Sequence, residues 1–137
     1  MFEELLRGAD PEPAARRSIR DPAVRARTLR DPVAGPLFLE LQRSTGDRLA
    51  LRLPGTENDI AETRKELAVP LERIGLPVLS IHGTADAVVP FEGARALTDR
   101  VPGAELLAIE GGEHVALFTH LAEIRARVAA FLASAGA

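Results

Sequence analysis

No cysteine, tryptophan or tyrosine occurs among the 137 residues. The lack of cysteine excludes disulfides, a thiolate nucleophile and cysteine-based zinc sites. Lysine is almost missing as well, with Lys65 the single one. A net charge of −3 leaves no basic face for a phosphate backbone, so no nucleic-acid partner is expected. No apolar run approaches membrane-spanning length, so no membrane partner is expected either. Met1-Phe2-Glu3-Glu4-Leu5-Leu6 lacks the basic-then-apolar layout of a signal peptide, and a cytoplasmic location is the default expectation. The three histidines show no H-x-x-x-H or H-E-x-x-H spacing, so no metal is expected. Gly111-Gly112 lacks a phosphate-loop pattern, and no cofactor is expected. What remains, 46% apolar and 27% charged residues, suits one soluble domain with a modest core.

Two regions differ in character. Residues 1–73 are Arg-rich and irregularly apolar, and residues 74–137 read as strand, helix, strand, helix. Asp10-Pro11, Asp21-Pro22 and Asp31-Pro32 look like helix starts, with Asp as N-cap and Pro at the first helical position. Short helices are therefore expected over about 11–20, 22–30 and 36–44. Ser44-Thr45-Gly46-Asp47 reads as a turn. Arg48–Leu53 alternates like a strand, although a helical segment fits nearly as well. Pro54-Gly55 should break it, and Thr56-Glu57-Asn58-Asp59 should cap a helix running to about Leu67. In the second region, strands are expected at about 77–82 and 104–109. A helix opened by Pro90 should run between them. A last helix should carry Leu117, Leu121, Ile124, Val128 and Phe131/Leu132 on one stripe. The connection between parallel strands should be right-handed, as in an open α/β sheet.

Functional groups in such sheets gather beyond the carboxyl ends of the strands. Asp86 follows the first strand and His114 the second, so neighbouring strands would bring both to one rim. A carboxylate bonded to one imidazole nitrogen fixes the tautomer and leaves the other nitrogen to take a proton from a hydroxyl. Blander roles exist: Asp86 can cap the turn before Pro90, and His114 can be a polar loop residue. His82 suits the strand-to-turn geometry, His120 a solvated or capping place, and Asn58 and Asp59 a helix start or a substrate contact.

His82-Gly83-Thr84-Ala85-Asp86-Ala87-Val88-Val89-Pro90, followed by Gly111-Gly112-Glu113-His114, resembles the C-terminal part of an α/β-hydrolase-fold protein. The resemblance covers residues 74–133 and implies a partial α/β-hydrolase fold. In that fold two parallel C-terminal strands and flanking helices follow a mainly helical, cap-like region over 1–73. It implies Asp86 as triad acid and His114 as base of a serine hydrolase acting on an ester or related acyl bond. The nucleophile of that family lies in G-x-S-x-G, which none of Ser18, Ser44, Ser80 and Ser134 matches. Ser44, in its turn, is the only serine that could be exposed near a site, and it is not expected to be a nucleophile. The chain alone is therefore expected not to turn over. It would contact a small ester-like substrate only when completed by the missing half. The alternative expectation is a non-catalytic module that self-associates, or pairs with a complementary hydrolase half, through an open sheet edge.

Overall fold

Asp21 caps its helix as its place before proline implies. In the computed structural model, which describes residues 12–46, 49–64 and 69–135, helix α1 spans Glu12–Ser18 and α2 spans Pro22–Arg30. Asp21 Oδ1 accepts from the amides of Ala23 at 2.7 Å and Val24 at 2.9 Å. Asp31 works in both directions. Its amide donates to Arg27 O, ending α2, while its Oδ1 accepts from Val33 at 2.8 Å and Ala34 at 2.7 Å ahead of α3, Ala34–Gly46. The amide of Ala34, then that of Val33, holds the Asp31 carboxyl below its ordinary range. Asp10-Pro11 and the end of the helix expected near Leu67 lie outside the described residues.

The second region contains two five-residue strands, β1 Leu79–Gly83 and β2 Glu105–Ile109, paired in parallel with Leu79 opposite Glu105 and Gly83 opposite Ile109. Helix α5, Phe91–Arg100, joins them. A 3-10 turn, Leu71–Arg73, precedes β1, and Glu72 in it accepts from Arg100 at 2.8 Å. The mixed α/β architecture, mostly helical with one parallel pair, agrees with a partial α/β-hydrolase fold.

Two apolar clusters carry the packing. One joins Ala15, Ile19 and Phe38 of the helical region to Val115, with Phe118 packed alongside. The Phe38 and Phe118 rings meet edge-on, with centroids 5.6 Å apart at 68°. The other joins Ile109, Ala116 and Ile124, with Ile81, Leu107 and Val128 against them. Val115 and Ala116 are consecutive, so the chain passes from one core to the other just after His114.

Three expectations are corrected. Residues 49–53 are helical: α4 spans Leu49–Thr63 with Pro54 inside it. Leu, Ala and Arg are good helix formers and none is β-branched, so their alternation carried no real strand preference. Thr56 Oγ1 donates to Arg52 O at 3.2 Å, the back-bonding of a mid-helix threonine rather than a cap. Second, Ser44 and Thr45 belong to α3, and both hydroxyls donate to Leu41 O; Asp47 lies outside the described residues. Third, the last helix is two, α6 Ala116–Thr119 and α7 Leu121–Ala135. His120 separates them with φ −128° and ψ 33°. The break takes Leu117 off the stripe, leaving it 54% exposed while Ile124 is buried. No described helix is long and apolar enough to cross a membrane.

Candidate active site

Asp86 is set by its own loop. Asp86 follows β1, and its Oδ1 accepts from the amides of Val88 at 2.8 Å and Val89 at 2.9 Å. That Asx-type turn points the other oxygen, Oδ2, at His114 Nδ1, 2.9 Å away. The carboxyl side chain is 4% exposed. Burial pushes its pKa up, but the Val89 amide, the His114 ring and the Val88 amide together outweigh burial and hold it below the ordinary value. Asp86 is therefore an ionised acceptor at neutral pH.

The loops after the two strands are stapled to each other. Thr84 N donates to Ile109 O and Ala85 N to Gly112 O, each at 2.9 Å. Gly111 N returns a bond to Thr84 Oγ1 at 2.8 Å. The approach is so close that a Cβ on Gly83 would lie 2.1 Å from Gly112 O. Gly111 turns the chain at φ +67°, a region that favours glycine. Parallel register puts both strand ends at one level, and these bonds then bring residue 114 back over residue 86.

His114 is less enclosed, its side chain 50% exposed. Its Nδ1–H donates to Asp86, and Nε2 has no partner among the described residues, leaving a lone pair for a proton. The residues on either side are tied to the helical region. Glu113 Oε2 accepts from Arg20 N at 2.9 Å, and Val115 is buried against Ile19 and Phe38. A cleft of about 100 Å³ opens beside the ring, lined by Arg17 and Arg20 from one side and Ala87, Val88, Glu113 and His114 from the other. That is small beside a typical ligand pocket of roughly 300 Å³ or more.

Asp86 and His114 are thus brought into direct contact across 28 positions of sequence. Asn58 and Asp59 lie exposed within α4 and do not line this cleft. Ser44, whose sequence setting allowed exposure near a site, is in α3; Ser18 is the serine that lines the cleft, its Oγ accepting from Gln42 Nε2 at 3.3 Å. Among the described residues no serine hydroxyl is bonded to His114, and no group of His, Asp and Glu could hold a metal. Sequence reasoning missed three contributors: Thr84, Glu113 and the contact of His82 with Asp86 at 3.4 Å. Only for His82 did a signal exist, its place four residues before Asp86.

Comparison with known proteins agrees on the region. The model of a family described as TAP-like protein, within the α/β-hydrolase superfamily, matches residues 58–137, more than half of the chain. A protein of Synechocystis sp. named as a non-heme chloroperoxidase is 38% identical over 63 residues, which is 45% of this chain and 23% of that relative. The chain thus spans less than a quarter of that relative's length. No solved structure matches significantly.

Proposed function

Because the chain belongs to the TAP-like family of the α/β-hydrolase superfamily, we propose that Asp86 and His114 are the acid and base of a Ser-His-Asp triad. The observation that carries this reading is the 2.9 Å contact from His114 Nδ1 to Asp86 Oδ2. Asp86 keeps the proton on Nδ1 and stabilises the imidazolium. Nε2 takes the proton of an attacking serine and later gives it to the leaving group of an ester or related acyl bond. The same pair would serve chemistry of the kind named for the chloroperoxidase relative. The serine and the oxyanion donors come from residues outside this chain, because none of its serines stands in a nucleophile elbow. The chain alone gives no appreciable turnover.

The test joins the coding sequence before Met1 to an activity assay. The expected finding is an in-frame or adjacent segment with a strand followed by G-x-S-x-G. Ester hydrolysis by the combined protein should fall by at least about 10³-fold in His114→Ala. A combined protein whose hydrolysis is indifferent to that change sinks the proposal.

A second reading follows from the sheet. Among the described residues each strand pairs only with the other, so β1 keeps an open edge along Leu79-Ser80-Ile81. Such an edge recruits another strand, from a complementary hydrolase half or a second copy. A cooperatively melting monomer, stable at high concentration, counts against it.

A further inference from the structure

Asp86 has two imidazoles around it. His82, in β1, places Nε2 2.9 Å from Val89 O and 3.4 Å from Asp86 Oδ2, the oxygen that also meets His114. A carbonyl only accepts, so His82 must carry its proton on Nε2, whereas His114 carries its proton on Nδ1. The rings hold opposite tautomers beside one carboxylate.

We propose that His82 is a positioning residue, a strap from β1 to Val89 that keeps the Asp86 loop closed on His114. It rests on the reading of Asp86 and His114 as acid and base. Val89 is held at both backbone polar groups, its N–H by Asp86 Oδ1 and its C=O by His82. Asp86 orients His114 through a loop that would otherwise be tied by Asp86 alone at that end. His82 could act in a second, opposite way, by competing with His114 for Oδ2. The distances decide between the two. A bond at 2.9 Å is full strength, while 3.4 Å is beyond the usual N–H···O range, so the strap dominates. His82 also lies against Phe91, with ring centroids 6.1 Å apart. Packing alone would accept any side chain of similar volume and would select no tautomer.

The experiment is imidazole 1H–15N correlation on the full chain, His82→Gln and His82→Leu, with thermal melts alongside. Glutamine keeps a donor of similar reach; leucine keeps apolar volume without one. In the unmodified chain, His82 is expected as the Nε2–H tautomer and His114 as the Nδ1–H tautomer. His82→Leu should speed exchange of the His114 Nδ1 proton on the order of tenfold, the weight of one net hydrogen bond. His82→Gln should stay within about threefold of the unmodified chain. A His82 ring on Nδ1–H or in mixed tautomers overturns the proposal, as does unchanged or slower exchange in His82→Leu. Should His82→Leu not fold, the His82 tautomer and the His82→Gln exchange rate still decide. A His114 lacking the Nδ1–H form in the unmodified chain is a separate failure, that of the acid–base reading itself.

Discussion

The Asp86 loop and the His114 loop of this protein are held by different physics. Residues 83–89 are fixed by hydrogen bonds: Asp86 to its own following amides, Thr84 N to Ile109 O at the end of β2, and Ala85 N to Gly112 O in the loop beyond it. Residues 113–118 are fixed from far away in sequence, by Val115 and Phe118 against Ile19 and Phe38 and by Glu113 against Arg20. The Asp86 turn onto Val88 and Val89 is specified locally, and the bonds to Ile109 and Gly112 follow once β1 and β2 pair. The His114 loop depends on helices some ninety residues earlier, with 93 positions separating Arg20 from Glu113. The helical region is therefore part of the positioning of His114.

The sharpest way to break this contrast is Phe38→Ala. Phe38 is fully buried, and removing its ring should cost about 3–5 kcal/mol. Amide spectra should show residues 113–118 displaced while 84–89 keep their resonances; equal disturbance of both loops would contradict the division. Gly83→Ala is the complementary cut. Its Cβ would meet backbone at Gly112, so about 1–3 kcal/mol of strain should be visible by urea titration, with both loops shifting together.

Asp86→Asn should cost about 1–2 kcal/mol at neutral pH, because a buried, triply bonded carboxylate is replaced by a group that cannot accept the His114 proton equally well. The pH dependence has a definite sign. The folded-state pKa of Asp86 is depressed, so its contribution is complete above the ordinary value of 3.8 and disappears as pH falls through the lower folded value. Melts of both proteins should converge across that acidic window; a constant difference down to the lowest pH would refute the depression. Asp21→Ala, which removes the α2 cap, should cost about 1 kcal/mol and leave the Asp86 loop untouched, with circular-dichroism melts as the measure.

Much of the local structure was legible in the residues. Asp before Pro announced α2, the apolar run before Gly83 announced β1, and the H-G-x-x-D spacing marked residue 86, because each signal acts within a few residues of itself. The misreadings occurred where local signals were ambiguous. Leu49–Leu53 alternates, yet Leu49 and Leu53 also stand one helical turn apart, and period alone does not choose. The break at His120 was invisible because no proline or glycine marks it. Thr84 and Glu113 escaped notice because a threonine in a turn and a glutamate before a histidine look like ordinary surface residues.

The sequence by itself determined which candidate groups are present, since the absence of cysteine and of a nucleophile elbow, and the presence of Asp86 and His114 after successive strands, are properties of order and composition. Only the tertiary structure decided that the two side chains meet at 2.9 Å, that His82 lies against the same carboxylate, and that the helical region grips the His114 loop. The reason is range: helix caps and strand ends are set by neighbours along the chain, whereas a shared hydrogen bond between residues 86 and 114 exists only after parallel pairing aligns two strand ends and apolar burial holds the second loop in place.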